Sequence, residues 1–201
     1  LAWTDLVPVL SWVALRGRCR YCGSSISPQY PLVECTTAIL FALIGGAPFP
    51  LGLLYQFVFC VIAALLVIIT VYDMRHTIIP DEWVYAFDIL ALGTMPFIMM
   101  SILPQGMPVW PLFAAGPLAA APFLALWVIS GGRWMGLGDA KLALGIGWLL
   151  GPWAGLASVM SAFVLGTLVM VPLLILGRVT HSMRFALPTL GLTMKSEVPF
   201  G

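Results

Sequence analysis

The sequence predicts an all-α fold, a polytopic bundle of membrane-spanning helices. Hydrophobic residues make up 61% of the chain and charged residues only 8%. Three long stretches contain no Asp, Glu, Lys or Arg, at residues 35–72, 89–132 and 142–177. A soluble domain of this length could not bury so much apolar surface. The formal net charge of +1 and the lack of a basic run argue against nucleic acid as the main partner.

Each charge-free stretch is long enough for two membrane crossings of about 17–20 residues around a turn. Each also contains a cluster of Pro and Gly near its middle, at residues 45–52, 103–111 and 149–155. Such clusters end helices, because Pro lacks an N–H donor and Gly relaxes the backbone. We therefore predict three helical hairpins, with about six crossings in all.

The nine basic residues predict the orientation of the hairpins. Each lies in or near a segment that joins two hairpins or flanks the set, and the three hairpin tips contain none. Lys and Arg are retained on the cytoplasmic side during membrane insertion. The sequence thus predicts a multi-pass protein, surrounded by membrane lipid, whose two ends and hairpin connections face the cytoplasm.

Two aspartates stand at the predicted cytoplasmic ends of crossings, Asp73 in "VYDMRHTIIPDEW" and Asp139 in "GGRWMGLGDAKLALGIG". An ionisable group near the hydrocarbon is a functional candidate by default. Two close carboxylates cannot both ionise, so one serves as an acid and the other as a base near neutral pH. Such a pair could activate a water for peptide hydrolysis. In the simpler alternative, Asp73 is an interfacial anchor paired with Arg75 or His76.

The sequence also suggests roles for four residues near these aspartates. Gly136 and Gly138 leave the chain beside Asp139 without side chains, so another backbone or an extended peptide could approach closely. "GLGD" lacks the spacing of a nucleotide-binding loop. Lys141 is interpreted as a snorkelling cytoplasmic anchor. Asp81 follows a proline and is interpreted as an acidic residue at a helix start, facing the positive end of the helix dipole.

The motifs "VYDMRHTIIPD" and "GLGDAKLALGIG" resemble the two aspartate motifs of the bacterial type IV prepilin peptidases. The segment at residues 7–34, "VPVLSWVALRGRCRYCGSSISPQYPLVE", resembles the cytoplasmic segment of that family, and "VPFG" at residues 198–201 resembles its C-terminal motif. The resemblance implies an aspartic endopeptidase of the bacterial inner membrane that removes the basic leader from prepilins and pseudopilins. It also implies methylation of the new N-terminus with S-adenosylmethionine. The resemblance assigns catalytic roles to Asp73 and Asp139. We predict supporting roles for five further residues, Gly136, Gly138, Lys141, Asp81 and Glu34.

Cys19 and Cys22 form a Cys-x-x-Cys pair, which is half of a zinc site. Tetrahedral zinc takes four ligands, and two thiolates alone make a weak site. Longer family members contain two such pairs that bind zinc together. The resemblance therefore implies a second pair upstream of Leu1, or a member that has lost it. It further implies that the chain is a fragment of a protein with about eight crossings.

The sequence predicts three regions. Residues 1–31 form a cytoplasmic cysteine-containing segment, half of a zinc-binding and methyltransferase region. Residues 32–178 form the transmembrane peptidase core, and residues 179–201 form a cytoplasmic loop that leads to a further helix. Glu34, at the start of the first crossing, resembles a residue of a family motif, but it could equally be a helix N-terminal charge.

Three other functions stay open from the residues alone. A transporter could use the two aspartates to relay protons or cations, although it has no reason to contain "RGRCRYCG". A presenilin-like intramembrane protease has motifs that resemble "YD" and "GLGD", but "IIPD" and "GDAK" speak against it. A structural scaffold of a secretion machine would tolerate neutralisation of either aspartate.

Overall fold

The computed structural model describes residues 3–47, 52–95, 108 and 110–182. Within these ranges the chain forms one short 3₁₀ turn and seven α-helices, and the only strand-like feature is an isolated bridge between Arg18 and Ser25. The predicted all-α class is therefore confirmed. The elements are the turn Trp3–Leu6, α1 Leu10–Ala14, α2 Gln29–Gly46, α3 Leu53–His76, α4 Asp81–Gly93, α5 Trp110–Ser130, α6 Leu137–Leu150 and α7 Pro152–Ser182.

Three of the described helices are long and apolar enough to cross a membrane. They are Leu53–His76, Trp110–Ser130 and Pro152–Ile175. Helix α4 has 13 residues and α6 has 14, fewer than the roughly 17–25 residues that one crossing needs. The total of six crossings therefore stays a prediction.

The first predicted hairpin break is confirmed, because α2 ends at Gly46 and α3 begins at Leu53. The side-chain amide of Gln56 donates hydrogen bonds to the carbonyl oxygens of Ile44, at 3.1 Å, and Gly45, at 2.8 Å. Carbonyls in the last turn of a helix have no partner within the helix. Gln56 thus satisfies the end of α2 from the start of α3.

The third predicted break is also confirmed, between α6 and α7. Gly151 has a φ of 82°, a left-handed conformation that L side chains rarely adopt. Pro152 is the first residue of α7, where its missing N–H costs no hydrogen bond. The second predicted break, at residues 103–111, lies almost entirely outside the described residues, as does the "VPFG" motif.

Contacts divide the chain into two compact units, Leu1–Val71 and Tyr72–Gly201. In the first unit, the indole N–H of Trp12 donates to the carbonyl oxygen of Ile26 at 3.1 Å. Asp5 and Arg20 form an ion pair at 2.9 Å. These interactions fold the cysteine-containing loop back on the short N-terminal elements. The predicted three-region division stays a prediction, and α7 continues to Ser182, past residue 178.

Helix α6 is at the centre of the second unit, where it packs against α4, α5 and α7. Small residues allow close approach of the backbones, as is common between membrane helices. A Cβ atom on Gly147 would overlap the carbonyl oxygen of Ala115 in α5, and a Cβ atom on Gly155 in α7 would lie 2.8 Å from the Cα atom of Gly147. The position of α6, which carries Asp139, is thus set by contacts that leave no room for a larger side chain.

Candidate active site

Asp73 lies in the last turn of α3, and its side chain is half-buried. Its carbonyl oxygen accepts a hydrogen bond from the backbone N–H of Thr77 at 2.7 Å. Thr77 has a φ of 54°, so the chain leaves the helical conformation there. The helix therefore ends at His76, within one turn of Asp73, and the carboxylate is carried on a regular helical turn.

Asp139 lies in the first turn of α6, after Gly136 at the N-cap position. The pKa of Asp139 is raised to about 6, mainly by burial and secondly by the negative charge of Asp73, against the opposing effect of a hydrogen bond with the backbone of Gly136. The charge of Asp73 can act on Asp139 only if the two carboxylates lie close together. The two aspartates that the sequence analysis paired are therefore within electrostatic range of each other.

The connection between α3 and α4 explains how these helix ends meet. A Cβ atom on Gly138 would lie 2.9 Å from the Cβ atom of Ile79, which is closer than packed carbon atoms approach. Ile79 lies six residues after Asp73, in the connection that follows α3, and Gly138 directly precedes Asp139. Contact between Ile79 and the bare backbone of Gly138 thus holds the end of α3 against the start of α6.

The two glycines before Asp139 have different surroundings. Gly138 receives Ile79 of the same chain, so the space beside it is already filled. A Cβ atom on Gly136 would meet nothing closer among the described residues than Oδ2 of Asp139, at 3.8 Å. The predicted approach of an extended peptide therefore remains open at Gly136, whereas Gly138 has a packing role.

Lys141 makes two contacts that the sequence analysis did not predict. Its Nζ atom donates to Oδ1 of Asp81 at 2.7 Å and lies 5.0 Å from the centroid of the Tyr85 ring. Packing of α4 on α6 brings this acidic and this aromatic partner within reach of Lys141, and the interpretation of Lys141 as a snorkelling anchor stays a prediction. Lys141 links the two helices two residues after the catalytic candidate Asp139.

Asp81 lies in the first turn of α4, as predicted. Its Oδ1 atom accepts a hydrogen bond from Lys141 in α6. Its negative charge is still favourable near the positive end of the α4 dipole. Asp81 therefore combines the predicted local role with a long-range contact.

Asp88 is a buried carboxyl that the sequence analysis did not single out. It is 9% exposed, it packs against Gly145, and its Oδ1 atom has no hydrogen-bond partner among the described residues. Asp81 and Asp88 are seven residues apart and so lie on one face of α4, opposite Lys141 and Gly145, which share a face of α6. The seven-residue spacing of the two acids is the signal that could have identified this interface.

Glu34 and the cysteine pair lie in the first unit. Oε2 of Glu34 accepts a hydrogen bond from the backbone N–H of Val9 at 2.7 Å. Helix α2 has no acidic residue in its first turn, so the interpretation of Glu34 as a helix N-terminal charge is wrong. Glu34 instead satisfies the backbone of the preceding segment, where Val9 has a positive φ of 59°.

The cysteine loop supplies two thiols. Its backbone closes through a hydrogen bond from the N–H of Cys19 to the carbonyl oxygen of Ser24 at 2.8 Å. The Sγ atom of Cys22 lies 3.0 Å from Oγ of Ser24, and hydrogen bonds with Ser24 lower the pKa of the Cys22 thiol to about 7. Among the described residues, no group of three or more His, Cys, Asp or Glu could hold a metal ion. The described residues around Cys19 and Cys22 therefore do not provide the four ligands of a tetrahedral zinc site.

The raised pKa of Asp139 predicts a gain in stability when the carboxylate is removed. A carboxyl whose folded pKa lies above its unfolded value favours folding at low pH, and this contribution is lost as the pH rises through the folded value. Asp139→Asn, which resembles the neutral form, should raise the melting temperature at pH 7.5 by about 2–4 °C, a small shift because Asp139 is partly exposed. The gain should shrink toward pH 5.

The melting temperature is measured by thermal unfolding of purified protein in detergent, once at pH 7.5 and once at pH 5. Glu82→Gln is the matched control, since Glu82 is an exposed carboxylate in the first turn of α4. It should change the melting temperature at neither pH. A melting temperature of Asp139→Asn below that of the wild type at pH 7.5 would contradict the burial argument.

Two family profiles match the chain. The profile of the bacterial peptidase A24 N-terminal domain matches residues 1–46, and that of the type IV leader peptidase family matches residues 60–171. The second match contains both Asp73 and Asp139. The first contains the cysteine loop and Glu34. No solved structure matches the chain.

Three curated relatives are similar to this chain over most of its length, and each is named a prepilin leader peptidase/N-methyltransferase. The protein of Xanthomonas campestris pv. campestris is 33% identical over 84% of this chain and 56% of its own length. That of Klebsiella pneumoniae is 33% identical over 75% of this chain and 64% of its length. The protein of Bacillus subtilis is 36% identical over 73% of this chain and 56% of its own length.

These matches cover only part of the relatives. The chain spans between 56% and 64% of the length of the three proteins. The family profile alone covers more than half of the chain, and the resemblance predicted from the aspartate motifs is confirmed. With its three membrane-capable helices, this chain is a multi-pass membrane protein that belongs to the type IV leader peptidase family.

Proposed function

We propose that this chain is the core of an aspartic endopeptidase that removes the basic leader from type IV prepilins and pseudopilins. The proposal is supported by the positions of Asp73 at the end of α3 and Asp139 at the start of α6, and by the contribution of the Asp73 charge to the raised pKa of Asp139. The relatives' names, which describe leader peptidases, support the same chemistry.

The pair can divide acid and base roles. At neutral pH one carboxylate is ionised and accepts a proton from a water molecule, which attacks the peptide carbonyl. The other is protonated and donates to the substrate, so a single shared proton serves both roles. Positioned acid–base groups of this kind typically contribute about 10²–10⁴-fold to rate. Gly136 leaves room for the peptide backbone beside Asp139, and Ile79 on Gly138 keeps the two helix ends in register.

Membership of the leader peptidase family supports hydrolysis over the other functions considered. A transporter or a scaffold does not account for membership of a leader peptidase family. The N-terminal match, with its cysteine loop, also distinguishes the chain from a presenilin-like protease. Substrates are proposed to be prepilins and pseudopilins within membrane lipid, and nucleic acid is not expected as a partner.

Methylation of the new N-terminus is a second proposed activity of the complete protein. The relatives' names include N-methyltransferase, and S-adenosylmethionine would supply the methyl group. A cavity of about 230 Å³ lies beside Cys19, Arg20 and Glu34 in the first unit. It is smaller than the roughly 300–1,000 Å³ of typical ligand pockets and does not fit the whole cofactor.

The proposed location is the bacterial inner membrane, with the aspartate pair facing the cytoplasm. The basic residues that flank the hairpins support this orientation. Single cysteines can test it in intact cells, after the four native cysteines are replaced by Ser. An impermeant thiol reagent added outside the cells should label Trp153→Cys. It should label Ser25→Cys and Trp134→Cys only after the cells are opened.

All three positions have exposed side chains, so accessibility to the reagent depends on the side of the membrane. Trp153 follows the turn between α6 and α7, whereas Trp134 precedes α6. Labelling of Trp134→Cys from outside intact cells would reverse the proposed orientation and remove the active site from the cytoplasm.

The test of the proposed activity is incubation of the complete detergent-solubilised protein with a purified prepilin, followed by mass measurement of the prepilin. A mass loss equal to that of the leader is expected. If wild-type protein shown to be folded leaves the prepilin intact, the proposed peptidase function is wrong.

A further inference from the structure

Helix α4 turns a face with three polar side chains toward α6. Asp81, Tyr85 and Asp88 follow one another at intervals of four and three residues, so they lie on one side of the helix. Across the interface, the Nζ atom of Lys141 donates to Oδ1 of Asp81 at 2.7 Å and lies 5.0 Å from the centroid of the Tyr85 ring. Lys141 is therefore held by two side chains of α4.

The ion pair of Lys141 with Asp81 is partly enclosed by the helix interface. The side chain of Lys141 is 23% exposed and that of Asp81 is 56% exposed. Further along the same interface, the carboxyl of Asp88 packs so closely on Gly145 that no Cβ atom would fit there. A solvated pair between flexible side chains contributes little, whereas this cation is also held over an aromatic ring. The contacts thus define where α4 lies along α6.

The ion pair lies close in the chain to both candidate catalytic aspartates. Asp81 is the first residue of α4, and residues 77–80 alone connect it to the end of α3, which carries Asp73. Lys141 follows Asp139 by two residues, near the start of α6. A shift of α4 along α6 would pull on this short connection. It would therefore change the separation of Asp73 and Asp139.

We propose that Lys141 and Asp81 are positioning residues for peptide hydrolysis. Their ion pair, together with the contact of Ile79 with Gly138, fixes the connection between α3 and α4 on the first turn of α6 and so sets the separation of the aspartate pair. The inference rests on the proposed peptidase function. Acid–base groups act over hydrogen-bond distances, and a displacement of about 1 Å can reduce a rate by about 10²-fold. Neither Lys141 nor Asp81 has to touch the substrate for this effect.

Removal of the charge of Lys141 tests the proposal. Lys141→Met keeps an unbranched side chain but cannot pair with Asp81. In the complete protein, kcat for prepilin cleavage should fall about tenfold, less than the roughly 10²–10⁴-fold contribution of a positioned acid–base group. The KM should stay near that of the wild type, because the pair orients the aspartates and does not bind the prepilin.

The exchanged pair, Asp81→Lys with Lys141→Asp, should recover most of the lost kcat. The same two side chains then face each other in opposite positions, so their combined reach is unchanged. Asp81→Lys alone places two lysines opposite each other and should be at least as slow as Lys141→Met. Glu82→Lys is the matched control, since it reverses the neighbouring exposed carboxylate in the first turn of α4, and its kcat should stay near that of the wild type.

The pH dependence of kcat separates positioning from a simple loss of folded protein. Burial, and secondly the charge of Asp73, raise the pKa of Asp139. If the two aspartates move apart, each charge acts less on the other carboxyl, and the two apparent pKa values of the pair approach each other. The alkaline limb of the kcat profile should therefore move to lower pH in Lys141→Met and return in the exchanged pair. Loss of a positive charge by itself would move that limb to higher pH.

The other charged groups near Asp139 are unchanged in Lys141→Met. Helix α5 and residues 152–177 of α7 contain no Asp, Glu, Lys, Arg or His. Hydrogen bonds with Asp81 and Tyr85 raise the pKa of Lys141, so the lysine does not itself produce the limb. The remaining groups lie at the end of α3 and on α4, and they are Asp73, Arg75, His76, Asp81, Glu82 and Asp88.

Three results would overturn the positioning role. They are an unchanged kcat of Lys141→Met, an alkaline limb that stays in place or moves to higher pH, and an exchanged pair that recovers neither kcat nor the limb. If Lys141→Met does not fold, Asp81→Asn removes the same ion pair, and an unchanged kcat of that variant overturns the proposal. Failure of the folded wild type to cleave prepilin would instead reject the peptidase function, so the two failures can be distinguished.

Discussion

Asp139→Asn in the complete protein is expected to reduce prepilin cleavage by at least about 10³-fold, within the range lost when a positioned acid–base group is removed. The amide keeps the size of the carboxyl, but it can neither accept nor donate the catalytic proton. Asp73→Asn should have the same effect. Cleavage is measured as the rate of leader loss by mass spectrometry, at saturating prepilin and pH 7.

The double variant distinguishes a cooperating pair from two independent groups. If Asp73 and Asp139 share one proton, removal of either already disables the mechanism, so the double variant should be no slower than each single variant. If the two aspartates contributed independently, the rate reductions of the two single variants would multiply in the double variant. Asp81→Asn is the control, since its carboxylate pairs with Lys141 and is expected only to weaken cleavage. Substantial cleavage by folded Asp139→Asn protein would rule out the aspartic mechanism.

Asp88→Asn provides a second comparison for the pair. Asp88 is more deeply buried than Asp139 but lies against Gly145, between α4 and α6. An amide in its place keeps the volume of the side chain. We expect cleavage to weaken without being lost, because Asp88 has no described contact with either member of the pair. Loss equal to that of Asp139→Asn would indicate that Asp88 takes part in the chemistry.

Gly147→Val is expected to abolish accumulation of folded protein in the membrane. The added Cβ atom would overlap the backbone carbonyl of Ala115, and it would lie 2.8 Å from the Cβ atom of Ala119. A backbone carbonyl cannot move aside as the end of a flexible side chain can. Overpacking in a well-packed core typically costs about 1–3 kcal/mol and occasionally more, and α6 contacts three helices that would have to shift together.

Folded yield is measured by size-exclusion chromatography of detergent-solubilised membranes. Gly45→Ala is the control, because a Cβ atom there would have no described atom within 4 Å and its φ is not left-handed. Alanine in a helix is favoured over glycine by about 0.5–1 kcal/mol, so this variant should be folded at wild-type yield or better. A normal yield of Gly147→Val would show that α5 and α6 are not packed as closely as the structure has them.

The all-α class and two of the three hairpin breaks could be predicted from the sequence, and Asp73 and Asp139 could be proposed as a catalytic pair. These features depend on local patterns. Long apolar stretches require helices whose backbone groups are satisfied internally, and the clusters around Gly46 and Gly151 end those helices wherever the rest of the chain lies. Asp73 and Asp139 could be recognised because charges are rare in such a chain, and each stands at the edge of an apolar stretch.

The faces at which the helices meet could not be predicted from the sequence. Helices α5 and α6 are apolar nearly all round, so no stripe of hydrophobic residues in the sequence indicates the face that packs. The pairing of Lys141 with Asp81, the burial of Asp88 against Gly145 and the contact of Ile79 with Gly138 all depend on the rotation and register of α4 and α6. An apolar cavity beside Asp139 likewise depends on the space left between α5, α6 and α7. Contacts between residues sixty positions apart, as Lys141 and Asp81 are, follow from the packing of whole helices, which local sequence patterns do not specify.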